Sequence, residues 1–166
     1  MSVSVVNRRA LLLCAASLAL AGCGFKLRAA PDFAFTTISI GSAGTSLLGN
    51  ELKRSIASDG RVRIAPLAEA QVVLDVLTDQ REKVVVGLNA SGQVREFQLR
   101  TRFRFKLRTP AGKELIADTE LLQQRDISFN ESAVLSKETE EALLYRDMQS
   151  DIVQHLLRRL AAVKEL

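Results

Sequence analysis

The sequence predicts an α+β fold, a two-layer sandwich in which helices pack on one face of a largely antiparallel sheet. Residues 97–108 alternate strictly between apolar or small side chains and polar, mostly basic ones, which is the period of a half-buried strand. Residues 144–160 carry an apolar side chain at every fourth position, which is the period of an amphipathic helix. Turn sequences at 89–92 and 109–112 join strand-like segments directly, as in hairpins. Hairpin-linked strands and helices that each need one covered face combine into such a sandwich.

The chain opens with the parts of a secretory signal: Arg8-Arg9, an apolar run from Ala10 to Ala21, and small residues after it. Leu20-Ala21-Gly22 stands directly before Cys23, which is the order of a bacterial lipoprotein cleavage site. We expect residues 1–22 to be removed and the Cys23 sulfur to be acylated, so that the lipid holds the chain on a membrane. A plain signal peptide with a chance cysteine and an uncleaved anchor helix are the alternatives, although the run is short for a ~30 Å hydrocarbon core.

The residue after the cysteine helps to predict which membrane holds the lipoprotein. In bacterial lipoproteins an Asp there favours retention in the inner membrane, and this chain has Gly24 instead. We therefore expect a location at the outer membrane, lipid-anchored on the periplasmic side. Residues 23–34 then form the lipidated N-terminus and a tether broken by Pro31, and residues 35–166 form a single domain.

The charge balance and the cysteines exclude several classes of function. Arg8 and Arg9 are two of the 23 basic residues, so the mature chain keeps 21 basic against 19 acidic residues, a net charge of +2. That balance is not typical of a chain that binds nucleic acid through its overall charge. Cys14 leaves with the leader and Cys23 takes the lipid, so we expect no disulfide, no cysteine metal site and no cofactor.

The first half of the domain reads as a strand, a helix and a short strand. Residues 35–40 alternate between apolar and small polar side chains. Thr45 or Ser46 caps a helix that runs through Leu47, Leu48, Leu52 and Ile56, the last three of which share one face, and Asp59-Gly60 ends it. Residues 62–64 form a short strand. Residues 72–77 and 84–86 are predicted to be one long, bent strand interrupted by polar residues 79–83.

The clearest strand has one core face and one basic face. Its core face carries Phe97, Leu99, Thr101, Phe103, Phe105 and Leu107, and its other face carries Gln98, Arg100, Arg102, Arg104, Lys106 and Arg108. The returning strand is predicted to point Leu115, Ala117, Thr119 and Leu121 at the core. Asp118, Glu120 and Gln124 then lie on the opposite face, within reach of the arginines.

A long helix closes the chain. Residues 129–135 read as a connecting loop, and Ser136 is predicted to open the helix. Its apolar stripe comprises Leu144, Met148, Ile152, Leu156 and Leu160, broadened by Leu143, Val153 and Val163. His155, the single histidine, lies beside this stripe, and we interpret it as structural. No nucleophile, base and acid can be assembled around it, so we do not expect an enzyme, and a periplasmic hydrolase is a weak alternative.

The run Cys23-Gly24-Phe25-Lys26-Leu27-Arg28 resembles the start of mature LptE proteins, the outer-membrane lipoproteins of lipopolysaccharide assembly. The last helix, with Leu157-Arg158-Arg159-Leu160 near its end, is similar to that family's closing helix, so the resemblance covers essentially all of the mature chain. It implies two helices on one face of a four-stranded sheet. It also implies a role as the plug and partner of the LptD β-barrel, together with lipopolysaccharide binding.

The resemblance also suggests contact residues. A basic residue near the start of the family's terminal helix has its counterpart in Lys137. The basic residue expected in the central hairpin turn is missing, since the turn is Asn89-Ala90-Ser91-Gly92, and Arg95 just beyond it is the substitute we consider.

Arg100, Arg102, Arg104, Lys106 and Arg108, which we call the basic row, are the site predicted from the residues themselves. Alternate cations on one strand present donors to phosphate or carboxylate groups. Three interpretations stay open for the row: contact with lipopolysaccharide, contact with a barrel lumen, or a solvated face balanced by Asp118 and Glu120. A generic lipid-anchored adaptor with a different protein partner is the alternative function.

Overall fold

The structure, a computed structural model, describes residues 32–41, 46–58 and 60–166. The predicted signal peptide, Cys23 and most of the tether lie outside the described residues. The elements are β1 (Thr37–Ile40), α1 (Leu47–Ala57), β2 (Arg63–Ile64), β3 (Val72–Leu88), β4 (Val94–Arg108), β5 (Glu114–Ser128) and α2 (Val134–Ala161), with short 3-10 turns at Leu67–Glu69 and Glu131–Ala133.

The predicted fold class is confirmed: both helices pack on a single mixed sheet with the strand order β2-β1-β3-β4-β5. Strand β1 runs parallel to β2 and β3, whereas β3, β4 and β5 form an antiparallel meander. The sheet of the described residues has five strands rather than about four, because the two-residue β2 pairs with the free edge of β1.

Helix α1 forms as its sequence predicts. The Ser46 hydroxyl accepts a hydrogen bond from the Gly49 amide at 2.9 Å, which caps the first turn. Leu48, Leu52 and Ile56 are buried against the sheet, whereas Leu47 is 65% exposed. Gly60 follows the helix with a φ of 70°, the left-handed conformation that glycine adopts without a steric cost.

Strand β3 is continuous over 17 residues, so the polar segment 79–83 does not interrupt it. Strand β4 pairs with β3 along nearly the whole length of β3. Backbone hydrogen bonds therefore keep residues 79–83 extended even though their side chains are polar. The pairing of β3 with β4 shifts in register between Val76 and Thr78 and between Val85 and Gly87, and such irregularities are the kind that bend a strand.

The alternation of β4 is confirmed: Leu99, Thr101, Phe103, Phe105 and Leu107 are all buried under the helices. Leu115 packs against the core as predicted, but the prediction is wrong for Ala117, and Ile116, which was not predicted, packs against the core as well. The pairing slips so that Ile116 lies opposite Leu107 while Ala117 is exposed. One extra residue on β5 reverses the alternation there, as a β-bulge does.

Helix α2 begins at Val134, two residues before the predicted Ser136. The Ser136 hydroxyl donates to the Ala133 carbonyl at 2.8 Å, so it does not act as an N-cap acceptor. The stripe from Met148 to Leu160 is buried, but Leu143 is 51% exposed and does not broaden it. Successive helical residues point about 100° apart, which turns Leu143 away from the core that Leu144 contacts.

Candidate functional site

The basic row lies on the face of the sheet opposite the two helices, as predicted. Its neighbours in β4 on the core face, such as Phe103 and Phe105, are 0% exposed, whereas Arg104 is exposed. The alternation of the strand therefore places five cations in a line on the uncovered side of the sheet. Most of them are already engaged by acidic side chains of the two flanking strands.

Strand β5 provides carboxylates for two of these arginines. Arg102 Nη1 donates to both carboxylate oxygens of Glu120, at 3.1 and 3.0 Å. Arg104 Nε donates to Asp118 Oδ1 at 2.7 Å, and its Nη2 donates to Oδ2. The hydrogen bond from Arg104, followed by its positive charge, lowers the pKa of Asp118 despite some desolvation, and the same contact raises the pKa of Arg104.

Strand β3 provides one carboxylate, Asp75, for the other end of the row. Arg108 Nε donates to Asp75 Oδ2 at 2.7 Å, and Lys106 Nζ lies 3.9 Å from the same oxygen. Arg108 and Asp75 keep about a quarter of their side-chain surfaces exposed, so this pair is partly shielded from solvent. The acidic partners of the row therefore come from both flanking strands.

Arg100 differs from the rest of the row. Its Nε donates to the neutral amide oxygen of Gln98 at 2.8 Å, and no ion pair joins it to any described residue. Glu82 and Gln124 are its cross-strand neighbours in register. Arg100 is thus the member of the row whose charge a further anion reaches without displacing an ion pair.

Arg95 lies near the start of β4, and Lys137 contacts the end of β5 that pairs there. Arg95 is exposed between Val94 and Glu96, where the pairing with β3 slips, and its side chain bonds to no described residue. Glu96 pairs with Ser128, whose hydroxyl lies 3.0 Å from Lys137 Nζ. Lys137 also pairs with Glu140 at 2.8 Å. A 290 Å³ cavity that includes Arg95 and Glu131 opens at this end.

A second charged region, which was not predicted, lies on the helix-covered side of β3. Lys83 Nζ lies 2.6 Å from Glu141 Oε2 and 4.4 Å from the centre of the Phe97 ring. Arg81 Nη2 donates to the side-chain oxygen of Gln149 at 2.5 Å, and its guanidinium lies 5.3 Å from the centre of the Tyr145 ring. The polar residues 79–83 within an otherwise apolar strand were the feature of the sequence that could have predicted this region.

A cavity of 610 Å³ adjoins this region, between α1 and α2. Leu47 and Arg54 line it from α1, Arg81 from β3, and Ala142, Tyr145 and Arg146 from α2. Burial raises the pKa of Tyr145, and its hydroxyl donates to the Glu82 carbonyl at 2.8 Å, which fixes the ring as one wall. A smaller cavity of 240 Å³ shares Leu47 and Arg81 and contains Asp79, whose Oδ2 is buried without a hydrogen bond.

Two further properties of the described residues concern membranes and metals. No helix among them combines the length and the apolar character needed to cross a membrane. His155 is exposed on α2, and within this part of the chain no three His, Cys, Asp or Glu side chains cluster in the manner of a metal site.

Comparison with known families decides the identity of the fold. The lipopolysaccharide-assembly family LptE matches residues 35–160, which is nearly the whole of the described chain. The chain belongs to the LptE family. Members of this family are lipoproteins of lipopolysaccharide assembly, in agreement with the resemblance of residues 23–28.

Solved structures of lipoproteins share the LptE fold. The solution structure of lipoprotein B from Nitrosomonas europaea is 32% identical, with a TM-score of 0.72, over 84% of this chain and 91% of that one. Rare lipoprotein B from Shewanella oneidensis is 23% identical, with a TM-score of 0.63, over 76% and 94% of the two chains. A minor lipoprotein from Acinetobacter baumannii is 21% identical, with a TM-score of 0.63, over 79% and 94%. No curated protein matches the chain.

Proposed function

We propose that this chain is an outer-membrane lipoprotein that plugs and supports an LptD-like β-barrel during lipopolysaccharide assembly. The family match over residues 35–160 carries this proposal. The position of the cysteine supports it, since Cys23 precedes the matched region by a short segment that suits a tether. In this proposal residues 1–22 are removed, Cys23 is acylated, and residues 35–166 act as one domain on the periplasmic side of the outer membrane.

The uncovered sheet face is the surface that we assign to contact with the barrel or with lipopolysaccharide. Its charges are largely matched within the face, through Asp75, Asp118 and Glu120. Burying this face against a polar lumen costs less desolvation free energy than burying a face with one sign of charge. The reason is that most of its ions already have a partner of opposite charge. Exposed apolar surface lies beside it at Leu122, which is 40% exposed.

The phosphates of lipopolysaccharide would select among the basic residues. Arg100 and Arg95 have no carboxylate partner among the described residues, so a phosphate adds to them directly. Arg102, Arg104, Lys106 and Arg108 must first exchange a carboxylate for the phosphate, and Lys137 must release Glu140. We therefore place Arg100 and Arg95 first among the residues that contact lipopolysaccharide.

Copurification tests the barrel partnership. The tagged, full-length lipoprotein is extracted from outer membranes in mild detergent, and the accompanying proteins are identified by mass spectrometry. We expect one large β-barrel in stoichiometric amount. A folded lipoprotein that carries no barrel contradicts the proposal and leaves the alternative, a lipid-anchored adaptor with a different protein partner. A Cys23→Ala control separates loss of the anchor from loss of the partner.

Neutralisation tests the assigned contacts. The variant Arg95→Gln/Arg100→Gln removes two cations without leaving a carboxylate unpaired, whereas Arg102→Glu or Arg104→Glu would set like charges side by side. We expect weaker retention of the barrel or of lipopolysaccharide, with an unchanged melting temperature. The control is Arg158→Gln/Arg159→Gln, which changes the same charge in the last turn of α2. Equal retention by both variants would remove Arg95 and Arg100 from the site.

A further inference from the structure

We infer that the 610 Å³ cavity between α1 and α2 is a binding site for a single-chain anionic amphiphile, an alkyl or acyl chain that ends in phosphate or carboxylate. The cavity lies on the helix-covered side of the sheet, so it is separate from the basic row on the opposite face. Its volume falls within the ~300–1,000 Å³ typical of small-molecule sites. The inference does not depend on a barrel partner.

The charges around the cavity favour an anion. Arg54 of α1 and Arg146 of α2 both line it and are exposed, and their side chains form no hydrogen bond or ion pair with any described residue. Arg81 is held by the neutral amide of Gln149 rather than by a carboxylate. Three guanidinium groups without an acidic partner are an arrangement that binds phosphate or carboxylate well, because each offers planar pairs of donors.

The acidic residues nearby do not cancel this charge. Glu141 also lines the cavity but pairs with Lys83 at 2.6 Å. Glu138 lines one end of the cavity, and Asp79 lies in the adjoining smaller cavity. Glu51 of α1 accepts a hydrogen bond from Gln149, another residue of the lining. Of the residues that line the cavity itself, three are arginines and two are glutamates, one of which is paired with Lys83, so the lining keeps a net positive charge that attracts an anion.

The remaining walls favour an apolar body on the ligand. Leu47 is 65% exposed at the first turn of α1, and Ala142 and Tyr145 line the cavity from α2. The Tyr145 hydroxyl is already bonded to the Glu82 carbonyl, so the ring presents its apolar surface without an unsatisfied polar group. A ligand that covers Leu47 gains hydrophobic free energy in addition to its contacts with the arginines.

Calorimetric titration of residues 23–166 tests the inference. The Cys23→Ser substitution prevents acylation, so the chain can be studied without detergent. The probe is dodecyl phosphate below its critical micelle concentration, compared with dodecanoate, dodecyl maltoside and inorganic phosphate. We expect both anionic amphiphiles to bind at one site, and the neutral maltoside and the free phosphate to bind at least about tenfold more weakly. Equal binding of dodecyl maltoside, or of inorganic phosphate, overturns the assignment.

Variants place the ligand in the cavity. Arg54→Gln/Arg146→Gln is expected to weaken dodecyl phosphate binding about tenfold or more, while the control Arg158→Gln/Arg159→Gln on the same helix binds as the parent does. Ala142→Trp fills the cavity from an exposed position and is expected to abolish binding. Melting temperatures verify that each variant is folded. Parental affinity in both folded cavity variants overturns the inference and leaves the barrel proposal untouched.

Discussion

Arg104 and Asp118 join strands β4 and β5 through two parallel hydrogen bonds, although they are not opposite each other in the sheet. Arg104 lies opposite Glu120 in register, yet its guanidinium bonds to Asp118, two residues further along β5. Arg102 lies opposite Leu122 and bonds to Glu120 in the same diagonal manner. The side chain of arginine is long enough to reach this diagonal neighbour. The two ion pairs therefore lie one after the other along the uncovered face.

The Asp118 contact makes stability depend on pH in a defined direction. Because the pKa of Asp118 is lower in the folded chain, its stabilising contribution is present above the unfolded value of about 3.9 and is lost as pH falls through the folded value. The melting temperature of the parent should exceed that of Asp118→Asn at pH 6, and the gap should close as pH falls towards about 2. The exposed Asp147→Asn serves as control, and a gap that stays constant with pH would contradict the prediction.

The Phe103 ring is a central element of the core. It is 0% exposed, and it lies 6.0 Å from the Phe105 ring, centre to centre. Phe103→Ala is expected to lower the free energy of unfolding by about 3–5 kcal/mol, because a large cavity replaces the ring. Urea denaturation measures the change. Leu143→Ala, at a 51% exposed position, should change stability by less than about 0.5 kcal/mol, and equal effects of the two variants would refute the assigned faces.

Gln149 links three elements from a nearly buried position, with 6% of its surface exposed. Its oxygen accepts from Arg81 of β3, and its nitrogen donates to Glu51 of α1 at 2.5 Å. Gln149→Leu preserves most of the volume but removes both bonds, so we expect a loss of about 1–3 kcal/mol in urea denaturation. The control is Gln154→Leu on the same helix, because the Gln154 side chain bonds to no described residue. An equally large loss of stability in the control would mean that the change to an apolar side chain, and not the lost hydrogen bonds, is responsible.

Gly87 allows the close approach of β3 and β4 near the tip of their hairpin. A Cβ atom placed on Gly87 would lie 2.9 Å from the Cβ of Glu96, a distance that forces the strands to shift. Gly87→Ala is expected to destabilise the chain by about 1–3 kcal/mol in thermal or urea denaturation. At Gly41 an added Cβ meets its nearest atom, the Leu74 carbonyl oxygen, at 3.4 Å, so Gly41→Ala should be better tolerated. Equal stability of parent and Gly87→Ala would show that the strand pair adjusts freely.

Periodicity determined the faces of the regular elements but not their exact bounds. The alternation around Phe103 and the four-residue spacing from Met148 to Leu160 predicted which side chains are buried, because both patterns repeat the geometry of their own backbone. The start of α2 at Val134 escaped prediction, since Ala133 at its N-cap offers no side-chain acceptor. The slip at Ile116 also escaped, because a bulge depends on how two strands meet.

For the basic row and the cavity, too, some features followed from the sequence and others depended on the tertiary structure. The sequence by itself determined that Arg100, Arg102, Arg104, Lys106 and Arg108 share one face, and it also carried the N-terminal pattern that points to lipidation of Cys23. Only the tertiary structure decided that Asp118 and Glu120 occupy two of these arginines while Arg100 keeps no carboxylate. It also brought Arg54, Arg81 and Arg146 from three separate elements to one cavity. A strand or helix sets its faces through local backbone geometry, whereas contacts between residues far apart in the chain depend on register and packing, which no local pattern encodes.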